Sequence, residues 1–409
     1  MQKLTVTFIT GTPDVTTNRR GSIVPLVAFA LAVVLAGIAL ALDRAWIDVA
    51  QVELTSASDA AALAAARELA SDDMLIPDSD VAVRVTAARA AAIQIALLNT
   101  VMTQPLILQE SDITFGQLVY DSSTDSNTFL QTELVPQTVV ITGLRERSRS
   151  NPIALVMQGL MGQSTAELAR LAAATIDNRI VGVRPSTGLV VPAMPLAILG
   201  TDATGVRQDT WQTQIGASQG TDVYSYNETT NSVTATPDGI REILLTGSAS
   251  AATGTTSNLC LVDFSGSYDS TRVATMISNG WTKKDLAPLP SGLTLANMPI
   301  SVVATSAIGS AEATALQQLI GQCRICLVYG PVSGSAAFAG NGNVAITGLI
   351  AGRIMSFVQT AGQAPTIVFQ PGVIVTRAAE SVAETLTPAE AAQSTVIGNP
   401  FIFKMTLSH

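Results

Sequence analysis

Histidine is almost missing from this chain: one stands in 409 residues, His409. A Ser-His-Asp or Cys-His arrangement needs an imidazole beside its nucleophile, so neither chemistry is expected. A structural zinc needs four ligands, and beside three cysteines the sole histidine is His409 at the C-terminus, which nearly excludes zinc. Charge is also scarce, at 13% of residues with a net of −9, and no basic cluster exists to hold a phosphate backbone. Nucleic acid is therefore not an expected partner. Asp and Glu remain, but no spacing singles out an acid–base pair. These shortages lead to an expectation of no enzyme activity, no catalytic residues and no cofactor.

What the chain does have is one long apolar run, Ser22 to Leu42, without a charge. As a helix of roughly 21 residues it is ~31 Å long, the thickness of a bilayer core. Two competitors are weighed against a membrane span. A buried core helix rarely goes so long without a charge. A cleaved signal peptide would use Ala39-Leu40-Ala41 as a small-x-small site, but the run is longer than a usual ~7–15-residue signal core. The flanks set the orientation. Lys3, Arg19 and Arg20 precede the run against Asp14, whereas Asp43 and Arg44 after it nearly cancel. The expectation is a single-pass protein of the inner (cytoplasmic) membrane, N-terminus in, with residues 43–409 extracytoplasmic. Arg19-Arg20 also hints at twin-arginine export.

The helical pattern continues past Asp43 with no Gly or Pro break. Ala50, Leu54, Ala57, Ala61 and Ala65 follow at helical spacing, a face of small residues that lets another element approach closely. Ala57, Ala61 and Ala65 are predicted to form a helix-packing interface, either against the next helix, Asp80 to Thr100, or against a neighbouring subunit; Ala66 reads as off that face. Pro77-Asp78 should make the turn and Asp80 the cap. Asp59 reads as a solvated or hydrogen-bonded helix residue, or as a buried partner for an arginine.

The order Arg19-Arg20-Gly21-Ser22, apolar span, Leu42-Asp43, then Leu54-x-x-Ala57-x-Asp59-Ala60-Ala61-Ala62-Leu63-Ala64-Ala65-Ala66 resembles the N-terminal module of TadG-like proteins. That family belongs to the Tad/Flp (type IVb) pilus-assembly group. The resemblance implies a membrane-anchored extracytoplasmic structural or accessory protein, whose partners are the membrane and either pilus-assembly proteins or further copies of itself. It also implies a short sheet and a second helix up to about residue 180. One position departs from the related pseudopilins. They carry Glu five residues after the leader-peptidase Gly, and here Leu26 follows Gly21 at that distance, which puts leader processing in doubt.

The remainder reads as α+β. Ile113–Tyr120, Thr138–Thr142 and Ala172–Val183 are predicted strands or strand pairs, with a polar turn at 121–127 and a short helix over 152–162. Further strands are expected over Leu259–Phe264, Arg324–Tyr329, Val344–Ile354 and Thr366–Thr376, with helices near 270–278 and 311–320. The 247–258 loop, nearly pure Gly, Ala, Ser and Thr, should be mobile. The expected organisation is a cytoplasmic leader at 1–21, a transmembrane helix at 22–42 and a TadG-like α+β domain at 43–190. A β-rich domain follows at 191–376, then a tail at 377–409, of which Phe401-Ile402-Phe403 could dock as an edge strand.

Three motifs suggest ligands. Asp263-Phe264-Ser265-Gly266-Ser267 has the Asp-x-Ser-x-Ser form by which von Willebrand factor A domains hold a divalent metal; a carboxylate with two hydroxyls suits magnesium. Such a site at Asp263, Ser265 and Ser267 would make a metal-dependent surface adhesin, the alternative function. The plainer reading is a strand ending in a Ser/Gly turn, since the following chain lacks βα alternation, and no metal site is expected. Cys323-Arg324-Ile325-Cys326 lies in an apolar strand context, where i and i+3 face opposite ways; free thiols, or a bridge from Cys260 to one of the pair, remain open. Gly340-Asn341-Gly342-Asn343 imitates a dinucleotide fingerprint but precedes β-branched residues, and reads as a hairpin turn.

Overall fold

The computed structural model describes residues 23–157, 164–248, 257–289, 292–330 and 341–408. The leader, Gly21, Ser22, most of the 247–258 loop, Gly340 and His409 lie outside the described residues. Contacts group the chain into two compact units: Met1–Gln51 with Arg145–Leu168, and Val52–Leu144 with Ala169–His409. The architecture is α+β, a long apolar helix and a second helix associated with a small sheet, followed by a β-rich body.

Helix α1 runs unbroken over Ile23–Leu69. Through residue 35 it is bare on every side, with Ile23, Leu26, Phe29, Leu31 and Val34 exposed; Leu40 is exposed too, whereas Ala39 is buried. From Ala50 onward one face is buried, at Leu54, Ala57, Ala61, Ala65 and Leu69. Ala66 is fully buried as well, at 0% exposure, so the covered face is wider than a single i, i+4 stripe. The reason is the 100° turn per residue: adjacent pairs such as 61/62 and 65/66 both fall within a broad apolar face.

Pro77 and Asp78 turn the chain, Asp78 at φ 59, and Asp80 caps helix α2, Val81–Leu98, by accepting from the Ala82 N–H at 2.8 Å. Both helices are long and apolar enough to cross a membrane. They differ in what covers them. α2 carries Arg84 and Arg89 and buries a single stripe, Val85, Ala88, Ala92 and Ala96, which marks a helix of the folded body.

The sheet beside these helices contains β1 (Ile113–Asp121), β2 (Ser126–Gln131) and β3 (Thr138–Arg145). A two-stranded hairpin follows, β4 (Ile153–Ala154) with β5 (Thr165–Ala166), and then β6 (Leu168–Asp177). The expected helix over 152–162 is thus not formed at Ile153–Ala154, which is paired strand; residues 158–162 lie outside the described residues. Pro152 suits the first turn of a helix, but it equally suits entry to a strand, and pairing with Thr165 and Ala166 decided between them.

The strand Ile402–Ser408 lies antiparallel to β6 and completes this sheet, with Ile374–Val375 parallel on its other side. Residues 377–408 therefore do not form a tail. Short helices at Val382–Thr385 and Pro388–Gln393 precede the strand, which is integral to the sheet rather than a docked edge.

The larger sheet contains β7 (Ala193–Leu199), β8 (Leu259–Asp263), β9 (Ile300–Thr305), β10 (Cys323–Gly330), β11 (Asn341–Val358) and β12 (Thr366–Pro371). β11 pairs with β9 through its first residues and with β10 along its middle, so the order β11-β9-β8-β7-β10 closes on itself. Its last residues pair with β12. Asn341 and Gly342 are already inside β11, opposite Thr305 and Ala304, and not in a hairpin turn. Helices α3 (Ser270–Asn279) and α4 (Ser310–Gln318) pack against each other, α3 also against β7 and β8 and α4 against β11. Every residue of β7 and β8 is buried.

Overpacking the α1 face tests its closeness. Ala61→Leu should cost ~1–3 kcal/mol, whereas Ser56→Leu, on the exposed side, should stay within about 0.5 kcal/mol. Denaturant midpoints of the detergent-solubilised full chain measure both, and equal midpoints would mean the face is slack.

Candidate functional site

The covered face of α1 has a defined counterpart. A Cβ placed on Gly143 in β3 would lie 2.2 Å from Ser58 Oγ and 3.1 Å from Leu54 Cδ1. Only a residue without a side chain lets the helix come this near the strand. Ala57, Ala61 and Ala65 lie at 0–1% exposure within the same face. α2 meets the sheet further along, where the Arg89 guanidinium lies 5.2 Å over the Phe115 ring and pairs with Glu133 at 2.8 Å. Asp59 is half-buried, and its Oδ1 has no hydrogen-bond partner among the described residues.

A second constellation lies where the apolar run ends. Asp43 is buried at 6% exposure, the first charged residue after Leu42. Its Oδ1 accepts from the backbone N–H groups of Val156 at 2.9 Å and Met157 at 3.1 Å. One turn later, Trp46 Nε1 donates to the Ala154 carbonyl at 3.1 Å. The β4–β5 hairpin is thus tied to α1 at two levels. A carboxylate accepting two N–H groups is the charge-assisted form of a turn cap, and it explains how an acid is tolerated at the end of an apolar helix.

The Asp263 motif is brought together, but around a cation of the chain itself. Asp263 Oδ1 accepts from the Ser265 N–H at 3.0 Å, and Oδ2 from the Asp269 N–H at 3.0 Å. The Arg272 guanidinium then closes on both oxygens, Nε at 3.1 and 3.0 Å and Nη2 at 2.6 Å. Ser265 Oγ donates to the Ser267 carbonyl at 3.0 Å, and Gly266 takes φ 84 in the turn. Arg272 arrives there because Asp269 caps α3 and places it in the first turn. Burial alone would raise the Asp263 carboxyl; Arg272 and the two N–H donors outweigh it and hold the group below the usual carboxylate range. β8, which ends at Asp263, is antiparallel to both neighbours, β7 and β9.

All three cysteines are free, Cys260 and Cys326 buried and Cys323 half-buried. Burial drives each thiol upward, Cys323 to about 12, so none is a ready thiolate. Among the described residues no three His, Cys, Asp or Glu side chains cluster to hold a metal.

One constellation was not foreseen. Arg353 in β11 is buried and ion-paired with Asp72, just past the end of α1. Asp72 Oδ1 also accepts from the Val373 N–H at 2.6 Å, and the Arg353 guanidinium stacks 4.5 Å over Tyr226. The signal was a lone arginine in the apolar strand Leu349-Ile350-Ala351-Gly352-Arg353-Ile354, a position that needs a buried partner. Its partner stands 281 residues away, which no local pattern reveals.

The acid dependence of Asp263 follows from its lowered carboxyl. A group whose folded pKa lies below its unfolded value adds stability above the unfolded value, about 3.9, and loses it as pH falls through the folded one. The stability gap between the parent and Asp263→Asn should be full at pH 7 and shrink below about pH 4, read as urea midpoints. Added magnesium should leave both midpoints unmoved. Separately, Asp72→Asn should cost about 3 kcal/mol by stranding a buried guanidinium, and Asp72→Asn with Arg353→Met should recover part of it; additive midpoint changes would mean the two side chains do not interact.

The chain's first helix also has a counterpart among known proteins. The family described as "Putative Flp pilus-assembly TadE/G-like" matches residues 21–68. That span is α1 almost entire, from the last residues before the apolar run to the end of the alanine face. No curated protein and no solved structure matches the chain. Residues 21–68 are thus similar to the TadE/G-like Flp pilus-assembly domain.

Proposed function

We propose that the protein is a membrane-anchored, extracytoplasmic structural or accessory component of Tad/Flp pilus assembly. The observation that carries this reading is α1 itself. Its first residues, 23–35, expose apolar side chains all round, and large apolar side chains stay exposed as far as Leu42, a pattern that a bilayer accommodates, while its remainder is one-sided and buried in a folded body. Lys3, Arg19 and Arg20 before the span support an N-terminus on the cytoplasmic side of the inner membrane. Pilus-assembly proteins or further copies of the chain are the proposed partners, with no nucleic acid and no cofactor.

A structural rather than catalytic role is supported by the state of the reactive groups. The three thiols are held protonated, and Asp263 is committed to Arg272. The metal-dependent adhesin reading required Asp263 as a ligand. Its carboxylate is instead saturated by a guanidinium and two backbone N–H groups, so no specific observation favours that alternative.

Reporter fusions test the topology. A periplasm-active reporter should work when joined after residue 200 and be silent at residue 15. The opposite pattern would overturn the orientation, and a fully soluble full-length chain would overturn the anchor.

A further inference from the structure

The segment Ala154–Met157, at the end of β4, exposes Val156. It is fastened to α1 at the end of the apolar run. Ala154 meets Trp46 and the next residues meet Asp43, three positions earlier on the helix. Three helical residues are ~4.5 Å along the axis. The chain therefore runs along α1 toward the apolar span as it proceeds from Ala154, and it turns at Val156 and Met157 beside Asp43. The turn is uncharged and open: Val156 is 53% exposed and Ala154 is also exposed. In sequence no charged residue stands between Arg149 and Glu167. Trp46 is 39% exposed with its indole N–H satisfied, an apolar ring with a polar tip of the kind that favours the bilayer boundary.

We propose that the segment Ala154–Met157 is a second membrane contact, with Val156 resting in the lipid headgroup–acyl boundary beside Trp46. The inference rests on the reading that α1 crosses the bilayer. The occupant is lipid rather than protein because the surface is continuous with the span. The helix leaves the hydrocarbon at Leu42, and the turn is bonded to the very next residue. A segment fixed at that depth either lies in the interface or leaves an apolar side chain in water directly over it. Asp43 is the positioning residue. Its carboxylate holds the turn by two N–H groups and does not itself touch lipid in this account.

The test uses the full chain in phosphatidylcholine–phosphatidylglycerol vesicles with an environment-sensitive nitrobenzoxadiazole label on Val156→Cys, and in a second protein on Leu31→Cys. Of the native thiols Cys260 and Cys326 are buried and Cys323 is half-buried, and mock-labelled parent protein sets the background. Lipids carrying a doxyl quencher at acyl position 5 or 12 report depth, and iodide reports water. An interfacial segment lies ~5–10 Å into the boundary. The label at 156 should therefore be quenched about twofold more by the 5-doxyl than by the 12-doxyl lipid and be shielded from iodide. The label at 31 should show the reverse doxyl order. Quenching of the 156 label by iodide and not by lipid, while the 31 label stays deep, overturns this contact and leaves the anchor standing. Shielding of 156 from iodide and lipid alike means a protein covers it, and also overturns the proposal. A 31 label untouched by either lipid overturns the anchor reading and this inference together. With Asp43→Ala, iodide should gain access to position 156 while the signal at 31 is unchanged; an unmoved 156 signal would overturn the positioning role of Asp43.

Discussion

A helix satisfies its own backbone hydrogen bonds, and the rest of this structure depends on that property of α1. No other element can pass from lipid into a packed body without exposing peptide groups at the boundary. The 47 residues of α1 carry two side-chain patterns on one unbroken backbone. Large apolar groups surround its first part, and alanines with one leucine per few turns line one face of the second. The change of pattern falls at Asp43, whose Oδ1 accepts from two backbone N–H groups.

The body depends on a second, remote set of contacts. The first sheet takes its strand next to β6 from residues 402–408, and the turn after α1 is pinned through Asp72 to Arg353 and Val373. Tyr226 covers the guanidinium, so the ion pair is stacked as well as bonded. A buried pair of this kind adds little net stability, because desolvation offsets attraction, but it tolerates few alternatives: any other register of β11 strands an arginine in an apolar strand. Its role in the fold is specification of which strand of the larger sheet the end of α1 meets.

Much of this was legible in the sequence, and the reasons differ by element. The long apolar helix, its uninterrupted continuation through Leu54 to Ala65 and the Asp80 cap are local signals with few rivals, and they appear as read. The strands around Leu261, Leu327, Ile350 and Val368 are apolar runs bounded by turns, and their ends moved by only a few residues. The 152–162 helix failed because proline at its start suits two structures and the strand partner was not visible. Ala66 failed as an off-face position because the face is broader than a single stripe. Asp263 looked like a metal ligand because the motif encodes a turn that gathers oxygen atoms; nothing in those five residues indicates that Arg272, one helical turn into α3, fills the place of the ion. The closure of the larger sheet and the return of the C-terminal strand rest on pairings across hundreds of residues, which periodicity does not encode.

The composition of the α1 face follows from that long-range closure. Until residues 402–408 exist, β6 has an open edge, and the sheet that covers α1 is incomplete. Non-local strand pairing is slow, and exposed apolar surface during the wait invites aggregation. A leucine-lined face would bury more area at the end, at about 25 cal/mol per Å², but would expose the same extra area throughout the interval. Alanine gives up part of that burial. In return it permits the near contact at Gly143, where dispersion between closely approaching backbones replaces side-chain area, and it leaves little for a stray chain to bind. The small-residue face thus reconciles a helix that is made first with a sheet that is finished last.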